Sequence, residues 1–230
     1  MTSPALPIAA FRERIVAELA RAGSLVLTAP TGSGKSTQAP RFLMGQVPGK
    51  ILVLEPRRLA ARSLAARVAS EDGSPLGGRI GYQVRFDSRP GSAVTFQTYG
   101  VFIQQVLKGP ELPGVGAVVL DEFHERTLES DLALAWLRTL RAKRRTDLKF
   151  VLMSATLDAG ALAAYLPEAA RVDVPGRLYP VDVRHRPPDA RRGPEDGAAA
   201  ALQDLAREGL DGSVLVFMPG MREIRRTLDV

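Results

Sequence analysis

The residues best able to do chemistry open with Ala29-Pro30-Thr31-Gly32-Ser33-Gly34-Lys35-Ser36-Thr37. A phosphate chain needs several backbone N–H groups turned toward it, and Gly32 and Gly34 let the backbone curl without side-chain clashes. Lys35 can reach β and γ oxygens, the Ser36 hydroxyl can ligate Mg²⁺, and a helix opening here adds the positive end of its dipole. This is the P-loop arrangement, with Ala29 standing where the general pattern writes its first Gly. Thr31, Gly32, Ser33, Gly34, Lys35, Ser36 and Thr37 are therefore the expected nucleotide-binding residues. Composition did not place the lysine: only five of the 31 basic residues are Lys.

A second group follows the apolar run Val118-Val119-Leu120. In P-loop enzymes an acid at the end of a buried strand holds the metal, which assigns Asp121 that part beside Ser36, and Glu122 would polarise the attacking water. An Asp-Glu pair after an apolar run is commonplace in itself. Lys35 upstream is what gives it meaning.

These groups need a scaffold, and the apolar patterning supplies one. Short continuous runs at Leu25–Leu27, Ile51–Leu54, Ala93–Phe96, Ala117–Leu120 and Phe150–Met153 read as strands buried on both faces, hence a parallel sheet covered by helices. Helical patterns fall at Ile8–Ala22, Ser36–Met44, Arg58–Ser70 and Leu128–Arg144. Trp136 with Leu132, Leu134, Leu137 and Leu140 reads as the core side of the last of these. The fold class is α/β. After Val174 the residues Pro175, Gly176, Pro180, Pro187, Pro188, Gly193 and Pro194 crowd together, placing a domain boundary near Pro175. The expected division is a complete domain at 1–174 and the opening of a second at 175–230. The second would hold an extended segment Val181–Arg186, a helix near Glu195–Glu208, a strand Val214–Phe217 and a helix from Met221.

Composition narrows the chemistry further. The 230 residues contain no Cys and two His, which excludes a disulfide scaffold, a thiolate zinc site and a Cys nucleophile. At 45% hydrophobic the chain is not disordered, and no stretch approaches the roughly 20 apolar residues of a membrane span. The first residues lack a basic end followed by an apolar run, so a soluble, unsecreted, cytoplasmic protein is expected. A net charge of +6 suits nucleic-acid or acidic-lipid partners, and equally an Arg-rich codon bias.

Together the two motifs resemble superfamily 2 helicases of the DEAH type, with Phe123 in place of the usual third residue of Asp121-Glu122-Phe123-His124. The resemblance extends through Glu55-Pro56-Arg57-Arg58-Leu59-Ala60-Ala61-Arg62, Gly81-Tyr82-Gln83-Val84-Arg85-Phe86, Ser154-Ala155-Thr156-Leu157, and Gly176 to Val181. Leu6-Pro7-Ile8 and Leu166-Pro167-Glu168-Ala169 are most similar to the bacterial HrpB-type members. The resemblance implies a RecA-like P-loop NTPase domain and the start of a second RecA-like domain, with ATP and Mg²⁺ as cofactors and RNA as partner. It implies Glu122 as general base alongside Lys35, and His124, Ser154 and Thr156 as the link between nucleotide and nucleic-acid sites. Arg57, Arg58, Thr98 and Gly100 would contact the nucleic-acid backbone, although Tyr99 stands where relatives have an acid. Such contacts suit Arg, giving affinity without reading sequence. Arg62 or Arg67 would stack on adenine, unless both are ordinary surface arginines. The chain ends before the family's later motifs, whose arginine fingers would then be absent. Three expectations follow: an ATP-driven RNA helicase in the full protein, a nucleotide-binding module with negligible turnover in this piece, or, less favoured, a P-loop kinase.

Overall fold

The computed structural model describes residues 6–155, 162, 164–176, 181–185, 187, 193–209 and 211–229. Two compact units divide the chain, residues 1–177 and 178–230. The first is built on one sheet whose strands are β1 Ser24–Thr28, β2 Lys50–Glu55, β3 Ile80–Val84, β4 Asp87–Arg89, β5 Val94–Thr98, β6 Val115–Leu120, β7 Lys149–Ser154 and β8 Ala170–Asp173. Their order is β4-β3-β5-β2-β6-β7-β1-β8. All neighbouring pairs are parallel except β3 with β4, an antiparallel hairpin at one edge.

Burial on both faces follows from the alternation of side chains along each strand. Leu25, Leu27, Ile51, Val53, Val119, Val151 and Met153 point to one side. There they meet Ile15 and Leu19 of α1 (Arg12–Ala22), Phe42 and Leu43 of α2 (Lys35–Leu43), and Ala61, Ala65 and Val68 of α3 (Arg58–Asp72). The intervening Val26, Leu52, Leu54, Val118, Leu120 and Leu152 point to the other, against Phe102 and Val106 of α4 (Tyr99–Lys108) and Leu134, Leu137 and Leu140 of α5 (Leu128–Lys143). Trp136 packs partly buried against this second cluster, as expected, whereas Leu132 is exposed because it lies off the buried stripe. The α/β class and the five apolar strands are borne out. Helix α4 and the strands β3, β4 and β8 were not foreseen. The expected first helix divides into a 3-10 turn, Pro7–Phe11, and α1.

In the second unit the helices α6 (Pro194–Glu208) and α7 (Met221–Leu228) form where helical pattern was read. The expected strand Val214–Phe217 does not: its four residues are exposed and carry no strand pairing. A strand is stable only with a hydrogen-bonded neighbour, and among the described residues none lies beside it. Residues 181–185 likewise form no paired strand. No helix among the described residues is long and apolar enough to cross a membrane.

Candidate nucleotide and nucleic-acid site

Parallel topology brings the chemistry to one edge, because a loop leaving the C-terminal end of each strand opens on the same side of the sheet. The glycine-rich loop leaves β1, Asp121 leaves β6, Arg57 and Arg58 follow β2, and Thr98 ends β5. The loop curls as its sequence demands. Gly32 and Gly34 take φ of +77° and +91°, and a Cβ on Gly34 would lie 2.7 Å from Leu6 Cδ1. Leu6 and Ile8 pin this loop from the N-terminal segment, Ile8 N–H donating to the Ser33 carbonyl at 3.3 Å. Lys35 opens α2, and its side chain is only 4% exposed.

Lys35 Nζ donates to Glu122 Oε1 at 3.1 Å across 87 residues of chain. Asp121 lies behind this pair, fully buried, with Oδ1 accepting the Glu122 N–H at 2.8 Å and Oδ2 lacking any well-formed hydrogen bond. Burial pushes the Asp121 carboxyl up, as does the Glu122 charge, while the Ser36 hydroxyl, the Lys35 ammonium and the Glu122 N–H oppose the rise. A buried carboxylate oxygen with no well-formed hydrogen bond, beside a serine hydroxyl and a lysine, belongs to a set of groups that suits a hard cation such as Mg²⁺, which takes one or two carboxylates and completes its shell with water and phosphate oxygens. Among the described residues no group of three or more His, Cys, Asp or Glu side chains is arranged to hold a metal unaided.

Thr31, Gly32, Gly34, Lys35, Ser36, Thr37 and Glu122 line one cleft of about 390 Å³, joined by Leu6, Arg67 and Glu71. That volume is the size of a small-molecule site. Ser33, also expected to bind nucleotide, does not line this cleft, and its hydroxyl is buried. Of the two arginines considered for base stacking, Arg67 reaches the cleft. Arg62 does not: it pairs with Asp87 at 3.4 Å and lies over the Tyr82 ring, because its position on α3 faces the β3–β4 hairpin.

Glu122 takes left-handed backbone, φ +49°, and so does Arg126, φ +48°, on either side of the 3-10 turn Phe123–Glu125. Left-handed backbone in non-glycine residues is strained and persists only where the surroundings hold it. Here Arg126 is held twice by Asp131, at 3.0 and 3.1 Å. The turn packs against β7, whose last residue is the buried Ser154. His124 Nδ1 sits 3.3 Å from Glu122 Oε2. Thr156 lies outside the described residues. On the expected nucleic-acid side, Arg57 is 74% exposed and pairs with Glu125 at 3.0 Å. Arg58 donates to the Arg85 carbonyl at 2.8 Å. Thr98 precedes α4 level with Glu55 in the sheet, and Gly100 is exposed in the first turn of that helix.

Four supporting residues escaped sequence reasoning: Leu6, Glu55, Glu71 and Tyr99. Glu55 and Asp121 each follow a paired residue, Leu54 and Leu120, on adjacent strands, so the two acids stand side by side. Burial and then the Asp121 charge push the Glu55 carboxyl well up. Its signal was an acid ending an otherwise apolar strand. Tyr99 donates its hydroxyl to the Asp121 carbonyl at 2.8 Å and so fixes the backbone of the acidic tip.

Residues 10–163 match the family model described as DEAD/DEAH box helicase. The chain is 43% identical to the ATP-dependent RNA helicase HrpB of Escherichia coli K12, over 96% of its own length and 28% of the relative's. It is 37% identical to the mouse protein described as probable ATP-dependent RNA helicase DHX34, over 98% of the chain and 21% of that relative. The crystal structure of Escherichia coli DEAH/RHA helicase HrpB superposes with a TM-score of 0.91 at 42% identity, over 97% of the chain and 29% of that structure. The chain thus spans less than a third of these relatives.

Proposed function

We propose, because this chain belongs to the DEAD/DEAH box helicase family, that it carries the ATP-binding part of an ATP-dependent RNA helicase. Residues 1–174 would be the first RecA-like domain and residues 175–230 the beginning of the second. In the whole protein, ATP hydrolysis in the cleft would drive movement along RNA.

The single observation that carries this reading is the Lys35–Glu122 ion pair at 3.1 Å, with the unsatisfied oxygen of Asp121 behind it. A triphosphate entering the cleft offers Lys35 a more highly charged partner than Glu122. Lys35 would turn to the β and γ oxygens, held from the other side by backbone N–H groups of the glycine loop. Glu122, released, would accept a proton from a water attacking the γ-phosphorus in line. The bond from that phosphorus to the β-bridging oxygen breaks, and ADP and inorganic phosphate leave. Ser36 and Asp121 would hold Mg²⁺, which when bound neutralises charge on the phosphate oxygens. Arg67, and not Arg62, would face the nucleoside. Arg57, Arg58, Thr98 and Gly100 would meet RNA backbone, and His124 with Ser154 would report the nucleotide state to that surface.

The test separates binding from chemistry. In the full-length helicase Glu122→Gln should keep ATP affinity and lower hydrolysis by about 10²- to 10⁴-fold, whereas Lys35→Ala should weaken ATP binding itself. Equal loss of binding in both variants would overturn the role given to Glu122.

A further inference from the structure

The cleft that holds the glycine loop ends in a cluster the hydrolysis mechanism does not use. Glu71, near the end of α3, takes Arg67 Nε on Oε1 at 2.5 Å, and on Oε2 takes Gln38 Nε2 at 2.8 Å and Arg41 Nη1 at 3.0 Å. Burial opposes the charged form, but the hydrogen bonds from Arg67 and Gln38 and the charges of Arg67 and Arg41 prevail and hold Glu71 below the usual carboxylate range. The Arg67 side chain is 70% exposed and that of Glu71 only 22%. An open guanidinium is therefore tied down by a sheltered carboxylate.

We infer that Glu71 is a positioning residue for the nucleoside end of the cleft, holding Arg67 so that its planar face meets the base of the bound nucleotide. The inference rests on the nucleotide reading above. A planar, weakly hydrated guanidinium stacks well on an aromatic ring, but a long exposed side chain loses much conformational freedom when it does so. Fixing it beforehand lowers that cost. Three donors from two helices converge on one carboxylate, and this makes a rigid base for Arg67 where a lone helical pair four residues apart would not. The same carboxylate also reaches the phosphate loop, since Gln38 donates to Thr37 Oγ1 at 3.3 Å and Thr37 donates to the Gly34 carbonyl at 3.2 Å. The experiment must therefore distinguish the two ends.

Equilibrium binding of ADP and of inorganic tripolyphosphate, both with Mg²⁺, makes that distinction, because tripolyphosphate has neither base nor ribose. Arg67→Ala and Glu71→Ala should each weaken ADP binding by about tenfold, and the double variant should bind no worse than Arg67→Ala alone. Glu71→Gln should fall between wild type and Glu71→Ala. Tripolyphosphate affinity should stay within about twofold of wild type in every case. Unchanged ADP binding in Glu71→Ala, additive losses in the double variant, or equal losses for both ligands would overturn the positioning role. Should Glu71→Ala fail to fold, the Glu71→Gln comparison decides alone. Failure of the underlying reading looks different: wild type would bind neither ligand, or Lys35→Ala would leave both affinities intact.

Discussion

Asp121→Asn should make the nucleotide-free chain more stable while removing its response to magnesium nucleotide. Asp121 is fully buried, its Oδ2 has no well-formed hydrogen bond, and the equally buried Glu55 stands beside it with Oε1 unpartnered. Asparagine keeps an Oδ1 to accept the Glu122 N–H and turns the other position into a donor that Glu55 can use. Relieving one unsatisfied buried charge of this kind is worth about 1–3 kcal/mol. At about 2–4 °C per kcal/mol for a chain of this size, the midpoint of thermal unfolding should rise by roughly 2–12 °C. Circular dichroism melts without nucleotide measure this directly, and repeats with Mg²⁺ and ADP should raise the wild-type midpoint but not that of the variant. The pH dependence carries a sign as well. Asp121 and Glu55 both hold protons more tightly folded than unfolded. Their contribution to stability is complete below the ordinary carboxylate range, about pH 4, and is lost as pH rises through the raised folded values. Wild type should accordingly lose stability across that window more steeply than Asp121→Asn. A variant melting at or below wild type throughout would show that Lys35 fully compensates the buried charge, and the reasoning would fail.

Tyr99→Phe should lower the melting midpoint through loss of about 1–2 kcal/mol, since it strands the buried Asp121 carbonyl; a variant as stable as wild type would show that the hydroxyl supports nothing. Arg57→Ala and Arg58→Ala in the full-length helicase should each weaken RNA binding uniformly across sequences and reduce the salt dependence by about one phosphate contact. Filter binding at several salt concentrations reads this, and an unchanged slope would remove both residues from the interface.

Much of the positioning machinery was legible in one dimension, and the reason is local. Strands β1, β2, β6 and β7 carry apolar residues on both faces, so each announces itself without its neighbours, and β5 opens on the apolar Val94 and Phe96 with the buried polar Thr95 and Gln97 on its other face. The loop around Lys35 is local too: its glycines, lysine and serine adjoin in sequence because one phosphate chain needs them together. Strand β3, Ile80–Val84, hides because Gly81 and Gln83 interrupt its run, and β4 is too short to show a period. Helix α4 was obscured by the β-branched Val101 and Ile103 and by Gly100 in its first turn. Val214–Phe217 erred in the opposite direction, since β-branched residues favour a strand only where a partner exists. What escaped at the site was non-local in every instance. Glu55 meets Asp121 because β2 and β6 are neighbours, Glu71 meets Gln38 because α3 packs on α2, and Leu6 closes over Gly34 from the N-terminal segment. Apart from the acid that ends the apolar strand β2, none of these juxtapositions has a signature within its own stretch of chain. Arg62 and Arg67, five apart on one helix, could be told apart only once the cleft was visible on one side of α3 and the hairpin on the other.

The central claim is that the loop at Lys35 and the acidic tip at Asp121 act on one ligand. Calorimetric titration of the chain with ATP, with and without Mg²⁺, tests it most directly. The account predicts that Mg²⁺ tightens ATP binding in wild type and that Asp121→Asn binds ATP alike under both conditions. A magnesium dependence that survives intact in Asp121→Asn, or that is absent from wild type, would contradict it.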